Sequence, residues 1–182
     1  MKWRTGLAVG GGLAAILVLG FSCPLKPRPL GPHNPTQAQN TTFNLKNAIA
    51  AYQTEYREYP LPDSANDLTV ESGHALMEVL FGSDAQKAPG GRNPRGIAFY
   101  TDRAAKPYRD GRFRKGITLD DSGACELWDP WGNHYRVRFD TNGDGKVENP
   151  EAPGTHVPEP IAVWSAGPDG DFETWDDNVK NW

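Results

Sequence analysis

The chain has 182 residues, with 19 Lys and Arg against 23 Asp and Glu, a formal net charge of −4. That length allows one domain plus extensions; six Trp, six Tyr and seven Phe supply a core, and two cysteines exclude a disulfide-held scaffold. Sixteen Pro and twenty Gly predict many turns and long irregular stretches.

Lys2 and Arg4 precede GLAVGGGLAAILVLGFSC, residues 6–23. The run is uncharged and mostly apolar, so residues 1–23 read as a membrane anchor or a signal segment. The basic flank predicts that the first residues stay in the cytoplasm and that the rest lies outside the inner membrane. Cys23 follows the small residue Ser22 and is a candidate for lipidation. Residues 24–35, PLKPRPLGPHNP, contain five prolines and read as an extended linker. The folded domain is expected over residues 36–182.

From Thr36 to Tyr59 the spacing of Leu45, Ile49, Tyr52, Tyr56 and Tyr59 predicts one amphipathic helix, stopped by Pro60. It would be ~35 Å long at ~1.5 Å per residue. LPDSANDLTV reads as a loop, and SGHALMEVLFG, residues 72–82, as a short helix. Residues 92–115 hold eight basic and two acidic residues and read as a solvated flap or partner surface, with no nucleic acid expected outside the cytoplasm. Short strands are expected within GITLDDSGACELWDPWGNHYRVRF and in PIAVWSAG, residues 160–167. The fold class is α+β, a long helix laid on a small antiparallel sheet.

Two compact loops concentrate negative charge. Residues 140–151 have four acids and one Lys, and residues 164–182 have five acids and one Lys, which leaves the rest of the chain at +3. In DTNGDGKVENPE, Asp140, Asn142, Asp144 and Glu151 take the first, third, fifth and twelfth positions of a calcium loop, with Lys146 offering a carbonyl at the seventh. The flanks are a period-two strand and Pro150 and Pro153, so this is no EF-hand, and Asn-Gly-Asp-Gly reads first as a plain turn, ahead of a calcium loop. In SAGPDGDFETWDDNVKNW, Asp169, Asp176 and Asp177 can be folded around one cation, because calcium takes hard oxygen ligands.

Three segments together resemble the soluble domain of the major pseudopilin of type II secretion systems. AIAAYQTEYREYP is similar to the end of that family's spine helix, DPWGNHYRV at 129–137 to its Asp-Pro-Trp-Gly-Asn segment, and SAGPDG…DD…NW to its C-terminal calcium loop. The resemblance implies a pilin-like fold and one structural Ca2+ held by Asp169, Asp176 and Asp177. It also implies partners among pseudopilin-like or secretion-machine proteins at the inner membrane. The family's Phe-Thr-Leu-Ile-Glu-type leader junction is missing, and five prolines separate the apolar run from the helix, so polymerisation as an ordinary pseudopilin is not expected.

The sequence contains no His-Glu-x-x-His, Gly-x-Ser-x-Gly or phosphate-binding glycine loop, and His33, His74, His134 and His156 are scattered. A structural protein is expected, not an enzyme. The alternative is a calcium-dependent binding or adhesion module in which Trp128, Trp131, Trp164, Trp175 or Trp182 stack on a sugar; core and loop packing is the competing use of these rings.

Overall fold

The computed structural model describes residues 34–61, 67–120 and 125–182. The apolar run with Cys23, and the linker up to residue 33, lie outside the described residues. Among the described residues no helix is long and apolar enough to cross a membrane.

The first helix, α1 (Asn34–Tyr56), starts two residues before the expected Thr36. Pro35 sits in its first turn, where an N–H would have no partner in any case. The Lys115 ammonium donates to Asn34 Oδ1 at 2.7 Å. The helix stops at Tyr56 because Arg57 turns to a positive φ of 62° while its N–H still reaches Gln53 O at 2.8 Å. Leu45, Ile49 and Tyr52 are fully buried, and Tyr59 is buried just beyond the helix end. Burying each such aliphatic side chain stabilises the fold by about 1.5–3 kcal/mol. The Tyr52 and Tyr56 hydroxyls donate to Arg92 O and Asn93 Oδ1, each at 2.7 Å, so the aromatic stripe also anchors the basic segment. Within that segment Arg95 pairs with Glu55, and Arg112 donates to Gly132 O at 3.2 Å. Several of its charges thus tie it to the rest of the molecule.

The other elements, in chain order, are β1 (Leu68–Glu71), α2 (His74–Phe81), α3 (Asp84–Lys87), β2 (Lys106–Pro107), β3 (Phe113–Arg114), β4 (Gly116–Leu119), β5 (Cys125–Trp128), β6 (Arg136–Phe139), β7 (Val147–Glu148), β8 (His156–Val157), β9 (Ile161–Ser165) and β10 (Val179–Lys180). Among the described residues the main sheet runs β1-β6-β9-β10, antiparallel throughout, and three further two-stranded sheets pair β2 with β3, β4 with β5, and β7 with β8.

This corrects the expected fold. Among the described residues the chain forms a helix of 23 residues, two short helices and several small antiparallel sheets, and no pilin-like sheet is established. Turn residues divide the strand-forming sequence every few positions, so no strand among the described residues exceeds five residues. The β4–β5 hairpin packs against α2 and stays out of the main sheet. Segment 61–70, read as a loop, supplies the edge strand β1, whose Leu68 and Val70 pair with Phe139 and Val137. The helix expected over 72–82 is present as α2, closed by Gly82 at φ 75°.

Strand β9 is buried along its whole length, whereas β6 alternates. Ile161 and Val163 join Leu45, Ile49 and Val137 in the core beneath α1. On the other face, Ala162 packs with Val147 and Val157 against Trp182, and Trp164 meets Trp175 and Trp182. The two acidic loops therefore bring apolar residues to cover the outer face of the sheet.

Leu45→Asp or Ile49→Asp places an unpaired carboxylate in this core and is expected to abolish the cooperative thermal transition, since such burial costs several kcal/mol. Phe43→Asp, at a position 44% exposed on the same helix, should leave Tm within a few degrees. An unchanged Tm in either core variant would show that the stripe does not carry the fold.

Candidate metal centre

Asp129 organises the approach to the C-terminal loop. It is completely buried. Its Oδ1 accepts the N–H groups of Trp131 and Asn133, each at 2.8 Å, and its Oδ2 accepts the Ser165 hydroxyl at 2.6 Å. Ser165 Oγ in turn accepts the Gly167 N–H at 3.1 Å. The Asp129 N–H donates to Asn133 O at 2.8 Å and closes the turn. Gly132 has φ 93°, and a Cβ there would lie 2.8 Å from the Tyr108 ring. The Asp-Pro-Trp-Gly-Asn turn and the Ser-Ala-Gly start of the acidic loop are thereby one hydrogen-bonded unit. The sequence marked the first as a segment similar to the pseudopilin one but gave Asp129 and Ser165 no role. The available signal was an Asp at the head of a turn, where its side chain caps backbone N–H groups.

The loop that follows closes on itself. Gly167 has φ 68°, and a Cβ there would lie 2.3 Å from Asp177 O, so only glycine permits this approach. Asp169 Oδ1 accepts the Asp171 N–H at 2.9 Å, and its Oδ2 accepts the Thr174 hydroxyl. Asp171 Oδ1 accepts the Glu173 N–H at 3.0 Å. Asn178 Nδ2 donates to Phe172 O at 3.1 Å. The Asp177 carboxyl is pushed up, first by burial and then by the negative fields of Asp169 and Asp176. Asp177 Oδ1 and Asn178 Oδ1 are buried acceptors without a hydrogen-bond partner. Neighbouring carboxylates and orphaned oxygens are donors of the kind that a hard cation such as Ca2+ takes. Among the described residues no three His, Cys, Asp or Glu side chains enclose an ion as they stand. Carbonyls and the Asn178 amide would have to complete any shell.

Loop 140–151 is organised differently. Asp140 is buried, its Oδ1 accepts the Gly143 N–H at 2.7 Å and the Asp144 N–H at 3.2 Å, and its Oδ2 accepts the Gly145 N–H at 2.7 Å. Asn142 Oδ1 accepts the Asp144 N–H at 2.9 Å. Asp144 Oδ1 accepts the Lys146 N–H at 3.2 Å. These side chains hold a turn by capping its backbone. Glu151 is ion-paired with Lys180. Lys180 also lies 5.5 Å from the Trp182 ring centroid, so one ammonium links the two acidic loops. The five residues proposed for this loop are thus divided between a turn and a cross-loop ion pair.

The five tryptophans considered for sugar stacking are largely packed. Trp131 and Trp164 are buried, Trp128 lies against His134, and Trp175 and Trp182 contact each other at 6.3 Å.

Burial pushes the Asp129 carboxyl up to about 6, against the lowering effect of its hydrogen-bond donors. Its folded value is above its unfolded one, so its contribution is complete below about pH 4 and lost as pH rises through 6. The stability difference between wild type and Asp129→Asn should shift against wild type by roughly 2–3 kcal/mol from pH 4 to pH 7, measured by denaturant unfolding. A difference that stays flat would show that the donors fully compensate the buried charge.

Comparison of the chain with models of known families, with curated proteins and with solved structures finds no match.

Proposed function

We propose that this chain is a non-catalytic, membrane-anchored structural protein whose folded region lies outside the cytoplasm, associated with a type II secretion or pilus-like envelope machine and stabilised by calcium in its C-terminal loop. One observation carries the reading. The two motif segments that resemble pseudopilins, 36 residues apart at Asp129 and Ser165, are joined through a buried hydrogen bond of 2.6 Å. The link continues through Gly167 to the loop that holds Asp169, Asp176 and Asp177. The reading does not depend on a pilin-like sheet. It rests on the motif pair, the acid loop, and the apolar segment at residues 6–23 with its basic flank.

Calcium bound here would neutralise the mutual repulsion of the three aspartates and give the Asp177 and Asn178 oxygens a partner. A loop that covers Trp164 would then be fixed in place, which suits a domain exposed outside the cytoplasm. A second reading, a calcium-dependent binding module, has one observation in its favour. A cleft of about 220 Å³ lies beside the loop, lined by Trp175, Phe172 and Arg136 among others, with the Arg136 guanidinium 3.8 Å from the Phe172 ring centroid.

A cation bound only by the folded state stabilises it by RT ln(1 + [L]/Kd), ~2.7 kcal/mol at ~100-fold over Kd. Chelator should therefore lower the Tm of the wild-type protein by several degrees. Asp169→Ala or Asp177→Asn should abolish most of that shift. Asp140→Ala should retain the shift on a lower baseline, because it loses its turn caps. Magnesium should substitute poorly, since it demands a smaller octahedral shell. Absence of any calcium effect at millimolar concentration would remove the calcium part of the reading; an effect abolished by Asp140→Ala and untouched by Asp177→Asn would move it to the other loop.

A further inference from the structure

A separate cluster forms where the end of β1, the start of α2, β5 and the segment before β6 meet. On β5, Cys125 and Leu127 are buried, while Glu126 and Trp128 occupy the alternate, half-buried positions. His134 bridges to Trp128 and packs against it, with ring centroids 4.2 Å apart. A Cβ added to Gly73 would lie 3.9 Å from the same imidazole. His74 is the first residue of α2, one turn before Glu78.

Both imidazoles address one carboxylate oxygen. His74 Nε2 is 3.3 Å and His134 Nε2 is 3.8 Å from Glu126 Oε1. His134 Nε2 is buried without a hydrogen-bond partner. Each ring has a second carboxylate on its other side. His74 Nδ1 is 3.8 Å from Glu78 Oε1, and His134 Nδ1 is 3.7 Å from Glu71 Oε2. Three glutamates face this cluster against one guanidinium, Arg136, whose Nε is 3.9 Å from Glu71 Oε1.

We propose that His74, His134 and Glu126 bind a zinc-class divalent cation, with Glu78 and Glu71 orienting the two imidazoles. Metal–ligand bonds of about 2.1 Å in tetrahedral geometry separate ligand atoms by about 3.4 Å, a value between the two nitrogen-to-Glu126 distances here. Imidazole nitrogens with a carboxylate select zinc over calcium or magnesium. A carboxylate on the far nitrogen of a ligating histidine fixes its tautomer and raises its basicity. The three side chains do not enclose a point as they stand. His74, with 52% of its side chain exposed, has the freedom to close the set by rotation. The remaining position stays open to water, and the ion would tie α2 to β5 and to the segment leading into β6. This inference is independent of the calcium reading, because it uses none of the same residues.

The test uses the full-length protein in mild detergent, with calcium kept at millimolar concentration and Zn2+ titrated calorimetrically. Co2+ is added in parallel, because its visible absorption reports tetrahedral nitrogen and oxygen coordination. One equivalent of Zn2+ per chain should bind with Kd in the micromolar range. His74→Ala, His134→Ala and Glu126→Gln should each weaken binding at least tenfold and erase the Co2+ bands. Glu71→Gln should weaken binding about tenfold. His156→Ala, Asp140→Ala and Asp169→Ala should leave it unchanged. The exposed position of His74 makes its variant decisive even if His134→Ala fails to fold. Zinc binding that is absent, that survives His74→Ala, or that is lost with His156 or with either acidic loop would overturn the proposal.

Discussion

The Asp129 carboxylate is the constraint on which the arrangement of this protein depends. It is the point where the turn before β6 is fixed to the end of β9, and it does so with no solvent to share the charge. Two backbone N–H groups and one hydroxyl converge on it. Removing the acceptor would leave those donors unsatisfied, and each buried orphan costs about 1–3 kcal/mol. Ser165 passes the constraint to Gly167, and the Gly167 backbone lies against that of Asp177. The geometry of a surface loop is thus determined by a carboxylate in the interior.

The same arrangement explains why two acidic loops belong to one small sheet. Strand β9 has apolar residues on both faces, and α1 covers only one of them. The loops cover the other through Val147, Trp175 and Trp182, with Val157 of β8 beside Val147. Apart from Asp140 and Asp177, their acids are exposed around these apolar anchors, and Lys180 joins the loops by pairing with Glu151. Charge and burial are therefore coupled. A cation that quiets Asp169, Asp176 and Asp177 also favours the cover over Trp164. This coupling is the physical basis for proposing a structural cation site in the loop.

The sequence made the helix legible because Leu45, Ile49 and Tyr52 recur at helical spacing and one face is buried. Its ends were less clear, since Pro35 reads as a breaker but is well tolerated in a first turn. Strand β1 was missed because Asp63, Ser64, Asn66 and Asp67 give its approach the look of a loop, and its pairing with β6 is a tertiary fact. The single pilin-like sheet failed for a related reason. Alternation shows which segments are extended, but not which of them pair, and here the β4–β5 and β7–β8 hairpins form sheets of their own. Residues Asp169, Asp176 and Asp177 were visible as an acidic cluster. Asp129 was not, because a buried carboxylate has no local signature beyond its turn. The cluster of His74, Glu126 and His134 was invisible for the same reason, since three distant and individually unremarkable residues meet only in the folded chain.

The central claim is that Asp129 and Ser165 act as one unit that sets the loop. A double-mutant cycle of Asp129→Asn and Ser165→Ala, read by denaturant unfolding at pH 7, tests it most directly. Residues in one buried hydrogen-bond network couple by about 0.5–3 kcal/mol, and this account predicts a coupling of at least about 1 kcal/mol. Effects that add within about 0.3 kcal/mol would show that the two side chains act independently and would contradict it.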